Sequence, residues 1–380
     1  MDRSKKAKKI IFITLLSILA LIVIVVGIFS AVYASRFKTI ATIEPLTDYD
    51  DGLNVYRMDV KYDYSIDDII GRGVSDTQAF IDSIISEALP LLPIKMKAPD
   101  FSCSAFGIKT ADGDNIMGRN YDFRFDTSAM LVYCAPKDGY KSVAFTALDN
   151  LSVSVADESL KTKLACLTAP FICLDGMNEK GVSIAVLTLD CEPTAQNTDK
   201  PDICTSLAIR LVLDKAASTE EAVELFKQYD MIASSGRDYH FYINDASGDG
   251  RVVEWDCHSE TRELVATPVR TTTNFFNMYI DKITVTDGKN GIYGHGKDRY
   301  DKIEKVFDKA EGKFTTDTAW DALIEASQTP KSEDITSNTQ WSIVFNNTDK
   351  TLEFVLHRKW GDIVYYDLGT NRTTFKPIEK

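Results

Sequence analysis

The segment from Phe101 to Phe123, FSCSAFGIKTADGDNIMGRNYDF, carries a thiol, a cation and a carboxylate within reach of one local fold. Cys103 opens it, and Arg119 and Asp122 follow 16 and 19 residues later. Between them, Ala111-Asp112-Gly113-Asp114-Asn115 is built from residues that tolerate the tight bends of a hairpin. Ala105 and Gly107 on one side, and Ile116 and Gly118 on the other, sit in strand-like runs. A hairpin here returns Arg119 and Asp122 to Cys103. The thiolate is the reactive form of cysteine, and a neighbouring cation favours it. Such a set is the beginning of a hydrolase site, whereas a cysteine alone would read as a buried apolar filler.

Three later stretches give the hairpin a context. They are Asp175-Gly176-Met177-Asn178-Glu179-Lys180-Gly181, Thr272-Thr273-Asn274-Phe275-Phe276, and Arg299-Tyr300 behind a Gly/His-rich loop. With Cys103 and Gly118-Arg119-Asn120-Tyr121-Asp122, they resemble in order the motifs of the choloylglycine hydrolase and linear amide C–N hydrolase family. That family includes bile-salt hydrolases, penicillin V acylases and, more distantly, acid-ceramidase-like amidases. The resemblance covers roughly residues 100 to 360, about one domain.

The resemblance implies an N-terminal nucleophile hydrolase with a four-layer αββα sandwich and no cofactor. Cys103 would attack an acyl amide and form a thioester, which water then hydrolyses. In this family the catalytic cysteine is the first residue of the mature chain, and its own α-amine is the general base. An α-amine has a pKa of about 7.7–8.0, so part of it is neutral at working pH. Asp122 would orient that amine through a charge-assisted hydrogen bond. The resemblance places the backbone of Asn178 and the side-chain amide of Asn274 in the oxyanion hole, and Arg299 in the polar network around the nucleophile. Read without it, Asn178 is an ordinary turn asparagine, Asn274 a strand asparagine, and Arg299 a helix-terminal cation.

The elements that must position these groups are legible as an α+β order. Strand-like runs occupy 104–109, 115–121, 129–134, 142–147, 171–175 and 181–188. Helical patterns follow at Leu207 to Leu213 and from Ser218, where Glu221 three residues on suggests a capping box. Hairpins return at 239–255 and 341–356, and Arg299 to Phe307 reads as a helix. Strands, then helices, then strands suit segregated layers. Of the four histidines, only His295, in the loop before Arg299, is placed by sequence near the site.

Upstream, Arg3, Lys5, Lys6, Lys8 and Lys9 precede an uncharged apolar run over 10–34. That run is long enough to cross a bilayer as a helix, and its basic flank predicts a cytoplasmic residue 1–9 segment. A signal anchor is favoured over a cleaved signal peptide, whose apolar core is only about 7–15 residues. Under either reading, the body lies outside the cytoplasm. Residues 36–102 read as a separate piece, with a strand near 56–62 and an amphipathic helix over 76–89. For Cys103 to own a free amine, the Ser102–Cys103 bond must be cut. The 36–102 piece is then a propeptide or a retained subunit ahead of a 103–380 catalytic domain.

The chain has 43 basic and 56 acidic residues. Removing the first 35 residues leaves 38 basic against 55 acidic, a net −17. Such a body repels phosphate backbones, which excludes nucleic acid as a partner class. The seven cysteines include no Cys-x-x-Cys pair and none with histidine at zinc spacing, which argues against structural zinc. Several cysteines sit in apolar runs and read as buried thiols. The leading function is an extracytoplasmic, membrane-anchored amidase on a small acyl amide, with bile-salt, penicillin-like and N-acyl lipid substrates all open. An acyltransferase using the same thioester, and a catalytically silent surface binding protein, are the alternatives.

Overall fold

The structure is a computed structural model that describes residues 2–90, 102–234, 236–285, 292–330 and 337–377. Residues 91–101, the end of the 36–102 piece just ahead of Cys103, lie outside the described residues.

Two large sheets face each other. The first has nine strands in the order Glu44–Pro45, Val55–Asp59, Ala129–Cys134, Ser142–Ala147, Asp175–Asn178, Ser183–Leu189, Asp238–Asn244, Gly250–Trp255 and Leu264–Pro268. The second has seven: Thr271–Thr272, Ser102–Lys109, Asn115–Asp122, Thr339–Asn346, Thr351–Leu356, Asp362–Asp367 and Arg372–Pro377. Apolar side chains fill the space between them, as the stacked rings of Phe145 and Phe354 show, with centroids 4.6 Å apart. Helices Lys297–Lys309 and Thr316–Ala326 cover the outer face of the seven-stranded sheet, packing Ile303, Phe307, Ala322 and Leu323 on Phe106, Ile108, Ile116 and Val344. Helix Thr205–Lys215 covers the nine-stranded sheet, and Thr219–Phe226 packs beside it. This is the expected αββα arrangement.

The hairpin forms where the sequence places it. Ser102–Lys109 pairs antiparallel with Asn115–Asp122, with Cys103 opposite Tyr121 and Ala105 opposite Arg119. Gly113 takes the left-handed conformation in the turn, at φ +100°. Gly118 lies opposite Phe106, and a Cβ there would stand 2.1 Å from the ring, so only glycine fits. Most other expected strands are found within two residues. The run at 171–175 is the exception: Cys166–Phe171 is a 3-10 turn, and the strand begins only at Asp175. Pro170 sits inside that turn, where its fixed φ suits the 3-10 conformation. At Ser218 the helix cap is as expected, with Ser218 Oγ accepting from the Glu221 N–H. Glu221, however, reaches back one residue further, to the Ala217 N–H.

The N-terminal half of the expected organisation differs more. The helix that carries the apolar run 10–34 extends past it at both ends, from Asp2 to Ile40. Its apolar stretch has a mean hydropathy of 3.2 and is not covered by the rest of the protein. At about 1.5 Å per residue it exceeds the ~30 Å hydrocarbon thickness of a bilayer. Its last turns dock on the body: Tyr33 Oη donates to Pro90 O (2.6 Å), and Arg36 Nε to Ala88 O (2.7 Å). Nor does the following stretch stand apart. Strand Val55–Asp59 pairs in parallel with Ala129–Cys134, and so extends the nine-stranded sheet. Ile66, Ile69, Phe80, Ile84 and Leu89 are at most 2% exposed and belong to the main core.

Candidate active site

Strand alternation divides the hairpin's chemistry between two faces. Cys103, Ala105, Met117 and Tyr121 point into the core between the sheets, and Arg119, opposite Ala105, is directed the same way. There Arg119 Nε donates to Asp175 Oδ2 (3.1 Å), which also accepts from Trp341 Nε1 (3.0 Å). Ser104, Asn120 and Asp122 belong to the helix-covered face. Asn120 Nδ2 donates to Leu323 O of helix Thr316–Ala326, and Ser104 Oγ accepts from Arg299 Nη1 (2.9 Å). The Cys103 thiol thus shares its side with Arg119, and Asp122 works from the other side, next to the Cys103 main chain.

That main chain is held at both polar atoms. Its N–H donates to Asn274 Oδ1 (3.2 Å), and its carbonyl accepts from Arg299 Nη1 (2.8 Å). Arg299 Nη2 also donates to Asn274 Oδ1 (2.6 Å), and Nη1 to Asp122 Oδ2 (3.2 Å). Asp122 further accepts from Thr339 Oγ1 (2.6 Å) and Gln328 Nε2 (2.9 Å). Asn274 Nδ2 donates to Thr188 O of the opposite sheet (2.7 Å).

Local elements explain this convergence. Thr271–Thr272 is an edge strand alongside Phe106 and Ala105, so the chain leaving it delivers Asn274 to Cys103. Arg299 lies in the first turn of Lys297–Lys309, entered through Gly296 in the left-handed region at φ +76°. A Cβ on Gly296 would stand 2.5 Å from Arg299 Nη2. Thr273 Oγ1 donates to Gly296 O (2.9 Å), which ties the Asn274 segment to the Arg299 turn.

Cys103, Ser104, Arg119, Asp122, Asp175, Asn274, Arg299 and Thr339 are each at most 2% exposed. Burial pushes the Cys103 thiol up to about 12; the Arg119 charge opposes this and the Asp122 charge adds to it. Burial also raises Asp122, against Arg299 and the Thr339 and Gln328 hydrogen bonds. It lifts Asp175 to about 6 despite Arg119 and Trp341. The Arg119–Asp175 pair is therefore asymmetric. Burial works against the Arg119 charge, yet Cys103 and Asp175 outweigh it and tighten its hold on the proton, while burial still dominates at the carboxyl. Among the described residues Arg119 Nη2 finds no hydrogen-bond partner of good geometry, and the guanidinium acts on the sulfur chiefly as a nearby charge.

Of the residues the sequence singled out, the structure brings together Cys103, Arg119, Asp122, Asn274 and Arg299. It does not bring Asn178 into contact with them. Asn178 lies three residues beyond Asp175, about 10 Å further at the rise of a strand. Its N–H donates to Val182 O (3.0 Å), and its Oδ1 accepts from the N–H groups of Lys180 and Val182. Its Nδ2 donates to Leu213 O and Ala216 O. That is a structural turn asparagine whose backbone N–H is engaged in its own hairpin, and it offers no donor to an oxyanion at Cys103.

His295 contacts Asp190 (Nδ1 to Oδ2, 2.9 Å). The imidazole joined to the Asn274 segment is instead His240, fully buried, with Nε2 2.8 Å from Thr273 O and Nδ1 2.9 Å from Glu254 Oε1. Glu254 also accepts from the N–H groups of Asn277 and Met278. Sequence reasoning missed His240, Glu254, Asp175, Ser104, Thr339 and Gln328. Asp175 alone carried a signal, as the residue that opens the Gly176-Met177-Asn178 stretch.

Comparison with known proteins bears out the resemblance. Residues 103–274 match the family described as linear amide C–N hydrolases, choloylglycine hydrolase family. No curated protein matches the sequence. Among solved structures, a conjugated bile acid hydrolase from Clostridium perfringens aligns with a TM-score of 0.51 at 16% identity, over 73% of this chain and 98% of that one. A penicillin V acylase from Agrobacterium tumefaciens aligns with a TM-score of 0.50 at 18% identity, over 70% of this chain and 86% of that one. At these identities the likeness is one of fold, and it agrees with the N-terminal nucleophile hydrolase architecture.

Proposed function

We propose that this chain becomes an amidase that cleaves a linear carbon–nitrogen bond, with Cys103 as nucleophile once the Ser102–Cys103 bond has been cut. The family match and the fold likeness support amide hydrolysis. The observation that carries the finer reading is the grip on the Cys103 main chain. A site that used only the sulfur would have no need to hold the backbone nitrogen and carbonyl with Asn274 and Arg299, two side chains with no solvent exposure to speak of.

Freed from Ser102, that nitrogen is an amine next to Asn274 and close to Asp122. It takes the thiol proton, and the sulfur attacks the acyl carbon. The amine then returns the proton to the leaving nitrogen, and water, activated by the same amine, hydrolyses the thioester. Arg119 supplies the charge that favours the thiolate. The Asn274 amide is the side-chain donor for the oxyanion, and Arg299 fixes the orientation of Asp122, Asn274 and the Cys103 carbonyl. Asn178 has no part in this scheme.

The uncut chain is latent. Cys103 is fully buried and its thiol sits near 12, so only about one molecule in 10⁵ is thiolate at pH 7. The helix Asp2–Ile40 is a signal anchor in this reading, and it holds the body at the outer membrane surface. The substrate is a small acyl amide of the bile-salt, penicillin or N-acyl lipid kind.

The test is intact mass and N-terminal sequencing of active protein, followed by thioester trapping with an acyl amide. A fragment starting at Cys103 that carries the acyl group supports the reading. Full activity in a chain with the 102–103 bond unbroken refutes it.

A further inference from the structure

Two of the cysteines differ from the rest. Cys103, Cys134, Cys166, Cys173 and Cys204 are buried, but Cys191 and Cys257 are partly open to solvent. They lie 66 residues apart in sequence, each two residues past the end of a strand: Ser183–Leu189 and Gly250–Trp255. Strand Asp238–Asn244 lies between those two and runs antiparallel to both. The outer strands therefore run the same way, and both cysteines leave the sheet at the same end. Beyond the start of the middle strand both thiols pack against the same small cluster of Leu189, Phe276 and Tyr279.

The surroundings are polar on one side and apolar on the other. Arg262, from the turn after Gly250–Trp255, sets Nη1 and Nη2 each 3.9 Å from Cys191 Sγ. The same guanidinium binds Asp238 Oδ2 (3.4 Å) and Glu192 O. Leu189, Phe276 and Tyr279 form the apolar side, and Met278 packs on the same cluster. Nothing in the amidase scheme uses either thiol.

We propose that Cys191 and Cys257 form a dithiol–disulfide site, a redox clasp between the ends of two strands beside the candidate active site. The neighbouring Cys257 thiol brings the Cys191 thiol down to about 7, with the Arg262 guanidinium assisting against burial and Asp238, so Cys191, held by Arg262, is the attacking sulfur. The neighbouring Cys191 sulfur, and then burial, hold the Cys257 proton on. The oxidant is a disulfide, either a small one such as oxidised glutathione or that of a thiol oxidoreductase. The Cys191 thiolate attacks one of its sulfurs, forms a mixed disulfide and expels one thiol. Cys257 then gives up its proton and displaces the second. Two protein thiols become one S–S bond, and their two protons and two electrons leave on the oxidant's two thiols.

Closing the clasp has a direct route to the active site. Thr188, three residues before Cys191, holds the Asn274 amide through its carbonyl. Phe276, in the cluster that both thiols pack against, follows Asn274 by two residues.

The experiment uses the full-length protein in detergent, incubated with oxidised or reduced glutathione, alkylated and digested without reductant. The proposal expects one linked peptide pair joining Cys191 to Cys257, a loss of two hydrogens in mass, and a melting temperature several degrees above that of the reduced form. Cys257→Ser is expected to trap one glutathione on Cys191 and to lose the thermal shift. The proposal is overturned if both cysteines remain alkylatable after oxidation, if the parent chain carries glutathione on each, or if either sulfur links to a different cysteine.

Discussion

Replacing Asp122 by asparagine separates two roles that the sequence alone would merge. The carboxylate accepts from Thr339, Gln328 and Arg299. Asparagine keeps the shape: its oxygen faces Gln328 and Arg299, and its amide donates to Thr339 Oγ1. Losing one charge of a buried pair commonly costs about 3–5 kcal/mol. The cost here belongs at the low end, because burial already raises the Asp122 pKa. The folded variant then reports on chemistry. A unit charge at a distance on the order of 6 Å and an effective dielectric near 20 is worth about 3 kcal/mol, or about two pKa units. Asp122 raises the Cys103 thiol, so Asp122→Asn lowers it. The thiolate fraction then rises by about 10–100-fold below the thiol pKa. Amide turnover moves the other way, down by about 10²–10⁴, because the amine loses the group that sets its orientation and proton affinity. The assay is the pH dependence of iodoacetamide labelling at Cys103, read by peptide mass, beside turnover on the same preparation. Slower labelling, or turnover within a few-fold of the parent, would refute the division of labour between the two faces of the hairpin.

Four further outcomes follow. Asn274→Ala should lower turnover by about 10²–10³, whereas Asn178→Ala should cost about 2–4 kcal/mol of stability in urea melts through its lost buried hydrogen bonds and leave the turnover of the folded fraction near that of the parent. His240→Leu strips a partner from Thr273 O and Glu254 Oε1; it should destabilise by about 2–3 kcal/mol and lower turnover through a displaced Asn274, both measurable on one preparation. Burial holds Asp175 and Asp214 at about 6, above the ordinary ~3.9 of an unfolded chain, so the folded state binds their protons more tightly. The stability they contribute is complete below about pH 4 and lost as pH rises through about 6, on the order of 3 kcal/mol each; denaturation midpoints across pH 4–7 should fall, and Asp175→Asn should remove about half of the slope. Last, cutting at 102–103 should not release the N-terminal segment. Val55, Met58, Ile66, Ile69, Phe80, Ile84 and Leu89 are at most 2% exposed, worth about 10–20 kcal/mol gross at about 1.5–3 each, so both fragments should elute together on gel filtration and part only in denaturant.

What could be read from the sequence was what is close in sequence. The hairpin needs only its own turn residues and apolar flanks, and it returned Arg119 and Asp122 to Cys103 as expected. Period-2 alternation also decides which face each residue takes, so the split between the thiol side and the Asp122 side was implicit in the numbering. The counter-ion of Arg119 was not. Asp175 meets it across the space between two sheets, a contact set by sheet packing and unmarked by any local pattern. His240 was hidden for the same reason, since its partners Glu254 and Thr273 come from a neighbouring strand and from an edge segment. Strand Val55–Asp59 read correctly as a strand, but its place in the main sheet was not legible. Its partner, Ala129–Cys134, lies in parallel more than 70 residues away, and parallel pairing leaves no hairpin signal.

Asn178 and Asn274 show where a motif stops being a mechanism. Both stand in family order, and both are buried amides with several hydrogen bonds. They differ in what they bond to. Asn178 closes a turn and ties it to the end of helix Thr205–Lys215, using backbone and side chain on its own surroundings. Asn274 spends its oxygen on Cys103 and Arg299, and its nitrogen on the opposite sheet. The turn at 178 keeps strand Asp175–Asn178 in register with Ser183–Leu189, and so holds Asp175, and with it Arg119, against the nucleophile. The order of motifs therefore identifies the frame. Only the direction of each hydrogen bond separates the groups that touch the Cys103 backbone from those that hold the frame still.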